Sequence, residues 1–236
     1  METLFIVIPA YNEEANIRQV IEDWYPVVEK YHGDQKSRLV IIDDGSKDRT
    51  YQIVQECAAA RPLLTPVTKK NGGHGPAVLT GYNYALEHGA DYIFQTDSDG
   101  QTLPEEFDPF WEQKNDWDML IGLRKGRQDG FSRIVVTKTL KAVIRLCFGV
   151  SAADANTPYR LIRSDVLKKY ISLIPQDFFL SNVLLSVIFE KKGCRVKYLP
   201  ITFRPRQGGV NSINLKRIVK IGIKALRDFR QINRQL

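Results

Sequence analysis

A chain of 236 residues, 43% apolar and 26% charged, is long enough to build a sizeable core without disulfides or a structural metal. That excludes a disordered tail, a disulfide mini-protein and a low-complexity linker. The net charge of +7 is unevenly placed: nine basic residues and one acid lie from Arg204 onward, leaving the rest close to neutral, which points to an anionic partner for that segment.

In chain order, residues 4–8 form a short apolar run closed by Pro9, the pattern of a buried strand. Residues 13–31 place Ile17, Val20, Ile21 and Trp24 on one helical face. A second buried strand is predicted over 38–42, then the turn Asp43-Asp44-Gly45-Ser46, then a helix over 48–60 stopped by Pro62. A weaker strand covers 63–67. The loop Asn71-Gly72-Gly73-His74-Gly75 opens a helix over 76–87, and a strand over 91–95 ends in Asp97-Ser98-Asp99. This alternation argues a doubly wound, mostly parallel α/β sheet flanked by helices. In such sheets ligands bind beyond the carboxyl ends of the strands, so the polar clusters after Ile8, Ile42 and Gln95 are expected to converge.

The second half gives a strand over 118–121, a basic loop over 122–130, helices over 132–148 and 178–189, a strand over 196–203 and a basic amphipathic helix over 213–232. With no repeat or linker, the expectation is one domain over 1–212 and a helical extension over 213–236. No basic n-region precedes the first apolar run, and no stretch reaches ~18 consecutive apolar residues, so neither a signal peptide nor a transmembrane helix is expected. Cys57, Cys147 and Cys194 are far apart and form no Cys-x-x-Cys pair; they read as free thiols in a reducing compartment, with no structural zinc.

Asp97-Ser98-Asp99 puts two carboxylates at i and i+2 just past a buried strand, with Gln101 following. Two acids held together are costly without a cation. A hard divalent ion, Mg²⁺ or Mn²⁺, with a bound diphosphate would relieve that cost; zinc fits less well because no His or Cys lies near in sequence. The other reading is a solvated turn with a helix cap. Asp43 and Asp44 are placed to accept hydrogen bonds from ribose hydroxyls or a base N–H, or else form a turn before a helix capped by Asp48. Pro9-Ala10-Tyr11-Asn12-Glu13 offers an aromatic face and amide groups at the same edge, or a plain strand-to-helix turn. Lys69 to Gly75 is a basic, Gly-rich loop at a helix N-terminus, suited to phosphate or to a flexible turn. Its spacing is neither that of a P-loop nor that of a dinucleotide fingerprint.

Taken together and in this order, these four clusters resemble the family 2 glycosyltransferases of the GT-A fold, over about residues 4–125. The resemblance implies a hexosyltransferase with a nucleotide-sugar donor. Pro9, Ala10, Tyr11, Glu13, Asp43 and Asp44 would hold the base and ribose, with Gly75, Asp97, Ser98 and Asp99 along the rest of the donor. Asp97, Asp99 and Gln101 would hold Mg²⁺ or Mn²⁺. Within the family the chain is most similar to the polyprenyl-phosphate sugar transferases, the group that includes the dolichyl-phosphate mannosyltransferases. Gln101 matches a metal-contacting Gln of that group and Arg124 a basic residue after the next strand. Asp154 with Arg160 resembles its acidic-to-aromatic-Arg segment, and Arg206 with Gly209 and Ser212 its late Arg/Gly/Ser motif. His74 stands where Lys or Arg is common, and Pro158 where Gly is usual.

That likeness implies inverting transfer of one sugar from GDP-mannose or a UDP-hexose to a polyprenyl or dolichyl phosphate. A phosphate acceptor is already anionic near pH 7 and needs cations more than a base. Arg124, Arg127, Arg133, Lys138, Arg204 and Arg206 are candidates, with Arg124 and Asp99 closest to the chemistry. The alternative acceptor, a sugar hydroxyl of a glycan or glycolipid, would need a base, and Asp154 or Asp177 could serve. The segment over 213–232 either lies on an anionic membrane surface or packs on the domain. The expected setting is cytoplasmic, peripheral on the inner face of the membrane or held by a membrane partner protein. Nucleic acid is not an expected partner, because the tail lacks interleaved aromatics and carries no nucleic-acid motif.

Overall fold

The computed structural model describes residues 2–32, 36–125, 131–150, 153–204 and, near the C-terminus, 229, 232 and 233; for residues 125 and 131–138 it describes the backbone alone. The first half alternates as its sequence predicts: β1 (Leu4–Ala10), α1 (Ile17–Lys30), β2 (Arg38–Asp43), α2 (Thr50–Ala58), β3 (Leu64–Thr68), α3 (His74–Glu87) and β4 (Tyr92–Gln95). The second half continues with α4 (Asp108–Glu112), β5 (Met119–Lys125), α5 (Phe131–Phe148), β6 (Arg160–Arg163), α6 (Ser164–Tyr170), α7 (Ser181–Lys191) and β7 (Val196–Thr202).

The strands form one seven-stranded sheet in the order β3-β2-β1-β4-β6-β5-β7. β1 pairs in parallel with β2 and β4, β2 with β3, and β5 with β7, whereas β6 runs antiparallel to both β4 and β5. The fold is the expected mixed, mostly parallel α/β sheet. The sequence reading omits α4, β6 and α6. β6 is Arg-Leu-Ile-Arg, two apolar residues between two arginines, too short to carry a period.

Alternation along each strand builds two cores. Phe5, Val7, Val40 and Ile42 face α3 and α7 on one side, while Leu4, Ile6, Ile8, Leu39 and Ile41 face α1 and α2 on the other. Strands covered on both faces read as continuous apolar runs, which is why β1 and β2 are so legible. On one side α3 packs close: a Cβ at Gly81 would fall 2.1 Å from Val7 Cγ1, so only glycine lets the helix lie this near the sheet. The register then sets the site. Ala10 of β1 is opposite Asp43 of β2, and Val7 is opposite Gln95 of β4, so the three strand ends deliver their loops to one edge.

Of the extension over 213–236, Phe229 and Ile232 are helical and buried in the α3/α7 core. The Phe229 ring lies 5.2 Å from Phe148 and 5.9 Å from Phe178, and Asn233 accepts a hydrogen bond from Lys191. At these positions the apolar face packs on protein; the rest of the amphipathic segment lies outside the described residues.

Candidate active site

The loops after β1, β2 and β4 and the N-terminus of α3 enclose an open cleft of about 330 Å³. Pro9, Ala10, Tyr11 and Glu13 line it from β1, Asp44 from β2, Asn71, Gly73, His74 and Ala77 from the α3 end, and Asp97, Ser98 and Asp99 from β4. Of the expected donor-site residues, Asp43 and Gly75 are not among the lining.

The β1 and β2 loops lock each other. Asn12 takes a left-handed φ of 54°, which Asn tolerates. Its backbone N–H donates to Ser46 Oγ at 2.9 Å, and its Oδ1 accepts from the Lys47 N–H at 2.8 Å. The buried Glu13 donates its backbone N–H to Thr50 Oγ1 at 2.8 Å and accepts from Asn16 Nδ2 at 2.9 Å. Tyr11 lines the cleft and keeps 41% of its surface exposed.

Asp43 and Asp44 are both buried and both hydrogen-bonded within the chain. Asp43 accepts from the Ser46 N–H at 3.1 Å and from Thr68 Oγ1 at 2.7 Å. Asp44 Oδ1 accepts from Lys69 Nζ at 2.6 Å and the Gly72 N–H at 2.9 Å, and Oδ2 from the Gly73 N–H at 2.7 Å. The Gly-rich loop, expected to offer backbone N–H groups to a phosphate, thus spends two of them on Asp44. Charge-assisted bonds of this kind are the strong ones. Asp44→Asn is expected to destabilise the fold by about 2 kcal/mol, read from the urea midpoint; an unchanged midpoint would contradict the clamp.

Gly75 is buried for a packing reason: a Cβ there would fall 2.1 Å from the Phe178 carbonyl oxygen. The turn before α7 therefore presses on the start of α3. Asp177 sits on that turn, exposed to solvent and away from the cleft lining.

The β4 loop carries the chemistry-bearing pair. Asp97 is about a quarter exposed, yet its Oδ1 is buried with no hydrogen-bond partner. Burial pushes the Asp97 carboxyl above its ordinary range, opposed by the neighbouring His74, the Arg124 and Arg160 guanidiniums and Gln95. His74 Nε2 stands 3.9 Å from that oxygen. The sequence reading discounted histidine because none is near in the chain; the fold brings His74 there as the first residue of α3. Asp99 Oδ1 accepts from the Gln101 N–H at 3.2 Å. Among the described residues, no three His, Cys, Asp or Glu side chains group as a complete metal site. An unpartnered buried carboxylate oxygen beside a second carboxylate fits a hard cation whose remaining ligands come from a bound diphosphate and water.

Outside the cleft lining, Arg124 at the end of β5 makes a two-pronged ion pair with Asp154: Nε to Oδ2 at 2.8 Å and Nη2 to Oδ1 at 2.6 Å, both side chains nearly buried. The guanidinium also lies 5.1 Å from the Phe203 ring centroid. With both Asp154 oxygens accepting from Arg124, its expected use as a general base is opposed by the geometry. Arg204 is exposed and joined to Gln101: the Arg204 N–H donates to Gln101 O at 2.8 Å, and Gln101 Nε2 donates to Arg204 O at 2.7 Å. Arg206 and the side chain of Arg133 lie outside the described residues, as do those of Arg127 and Lys138.

Arg160, grouped by its sequence context with Asp154 on the acceptor side, is fully buried. It donates to the carbonyls of Ala155, Thr157 and Asn182 and to Ser186 Oγ at 2.6–3.4 Å. It is a brace behind the site, not a cation in the cleft.

Against known proteins, the family model described as "Glycosyl transferase family 2" matches residues 5–171. The polyprenol monophosphomannose synthase of Mycolicibacterium smegmatis is 28% identical over 218 residues, covering 89% of this chain and 80% of that protein. The undecaprenyl-phosphate 4-deoxy-4-formamido-L-arabinose transferase of Edwardsiella ictaluri is 24% identical over 92% of this chain, which spans only 64% of that relative's length. Among solved structures, glucosyl-3-phosphoglycerate synthase from Mycobacterium tuberculosis, in complex with Mn²⁺, UDP-glucose and phosphoglyceric acid, superposes with a TM-score of 0.66. It is 18% identical over 98% of this chain and 79% of that one, a likeness of fold.

Proposed function

The chain belongs to glycosyl transferase family 2, and on that premise we propose that it moves one sugar from a nucleotide-sugar donor, GDP-mannose or a UDP-hexose, to a polyprenyl phosphate with inversion. The acceptor class is supported by relatives named for polyprenol and undecaprenyl phosphate. The donor class is supported by the cleft at the ends of β1, β2 and β4.

The observation that carries the phosphate acceptor is the Arg124–Asp154 pair. A hydroxyl acceptor needs a base in the cleft, and this carboxylate is held by a guanidinium. A phosphate monoester arrives already ionised near pH 7. Its recognition falls to cations, and Arg124 and Arg204 stand on the acceptor side.

On the donor side, Tyr11 offers its exposed face to the base and Glu13 an acceptor beside it, while Asp44, held by Lys69, Gly72 and Gly73, shapes the wall of the cleft. Asp97 and Asp99 would hold Mg²⁺ or Mn²⁺, with Gln101 beside them. When bound there, such an ion supplies Lewis-acid neutralisation of a diphosphate. His74 adds an N–H donor on the same side. Asp154 keeps Arg124 in place, and the buried Arg160 keeps the Asp154 turn in place. The acceptor oxygen attacks the anomeric carbon opposite the leaving diphosphate, which breaks one C–O bond and forms another with inversion.

The test is a donor panel with a fixed short polyprenyl phosphate: UDP-Glc, UDP-GlcNAc, UDP-Gal and GDP-Man, each with Mg²⁺ or Mn²⁺. One donor is expected to give a lipid-extractable glycosyl phosphate. Donor hydrolysis or binding with no lipid product from any donor would move the acceptor to a glycan hydroxyl.

A further inference from the structure

We infer that Gln101 is a positioning residue: its side-chain amide tethers the segment leaving β7 to the Asp97–Asp99 loop, and thereby sets where the acceptor-side cations stand. The consequence for the acceptor rests on the polyprenyl-phosphate reading above; the tether itself does not.

β7 is paired with β5 as far as Thr202, opposite Lys125. Phe203 and Arg204 then leave the sheet, and bonds to the segment after β4 hold them. The Thr202 N–H donates to the Glu106 carboxylate at 2.9 and 3.0 Å. Two residues on, Gln101 and Arg204 exchange two hydrogen bonds, one of them through the Gln101 side chain. Between these two ties sits Phe203, whose ring lies against the Arg124 guanidinium. Gln101 also donates its own N–H to Asp99. One residue therefore joins an acid of the donor side to the segment on which the Arg124–Asp154 pair rests.

The amide is specific to this task. Its nitrogen donates to the Arg204 carbonyl, which leaves its oxygen as an acceptor for another partner. Glutamate has the same shape and keeps that oxygen, but it sets an acceptor against the Arg204 carbonyl. Gln101→Glu therefore separates an oxygen donated to a cation from a nitrogen donated to the backbone.

The experiment uses the full chain with Gln101→Glu and Gln101→Ala. Amide hydrogen exchange over residues 202–204, measured without nucleotide or cation, is expected to be at least about fivefold faster in both variants, the worth of one lost hydrogen bond. In transfer assays at saturating cation, Gln101→Glu is expected to raise the acceptor KM by about fivefold, a larger change than in the donor KM. Exchange at the unaltered rate in Gln101→Glu would overturn the tether. Faster exchange with an unchanged acceptor KM would overturn its link to the acceptor. If the unaltered chain glycosylates no polyprenyl phosphate, the acceptor reading fails, and the exchange result still decides the tether.

Discussion

Asp99→Ala is expected to lower sugar transfer by about a hundred- to a thousandfold, roughly 3–4 kcal/mol of barrier, while leaving the fold intact. Asp99 is half-buried in the loop after β4 and accepts a hydrogen bond from the Gln101 N–H two residues on. Little of the core depends on it, so its loss should stay within about 0.5 kcal/mol of native stability. Its place beside the unpartnered Asp97 oxygen is what makes it expensive to remove from a working site. Turnover and thermal unfolding of the variant check this together: normal turnover would remove the two-carboxylate account, and a collapsed melting temperature would make Asp99 a structural residue.

The second large effect concerns stability. Arg160→Ala is expected to destabilise the protein by about 3–5 kcal/mol. Arg160 is a fully buried cation whose hydrogen-bond partners are uncharged: three backbone carbonyls and one hydroxyl. Burial pushes its pKa down, opposed by Tyr82, Tyr198, Asp154 and Asp97, and those carbonyls keep the charged form in place. Truncation would leave the Ala155, Thr157 and Asn182 carbonyls and the Ser186 hydroxyl each short of a donor, around a side-chain-sized cavity. Because they span the turn after Asp154 and the start of α7, the Arg124–Asp154 pair should loosen as well. Arg160→Lys restores the charge without the fork and is expected to recover part of the loss. Unfolding in urea measures both; an alanine variant as stable as the native chain would contradict the brace.

How far the sequence speaks for this molecule depends on the range of the interaction. β1, β2 and β4 are continuous apolar runs because both faces of the sheet are covered, and local pattern reveals them. The convergence of Tyr11, Asp44 and Asp97 follows from the parallel topology alone. What depends on distant partners is not legible in the same way. β6 has four residues and no period of its own; it exists because β4 and β5 both need a neighbour. Asp43-Asp44 reads as a ligand-facing acid pair, yet its carboxylates are bonded to Thr68, Lys69, Gly72 and Gly73. His74 is 23 positions from Asp97 in sequence and 3.9 Å from it in space. Arg124 and Arg160 look alike as basic residues on the acceptor side. One is paired with an acid at the end of β5, whereas the other is sealed in the core among carbonyls. The partners that separate them are set by the whole fold.

The proposed acceptor is a lipid phosphate, which the free alcohol of the same chain length tests. The most direct measurement compares a polyprenyl phosphate with the polyprenol of the same length, using one labelled nucleotide sugar and Mg²⁺ or Mn²⁺ and counting label in the lipid extract. Label is expected on the phosphate and none on the alcohol, with the signal lost in Asp99→Ala. Label on the alcohol at a comparable rate would contradict it, because the cleft would then hold a general base that the Arg124–Asp154 pair does not provide.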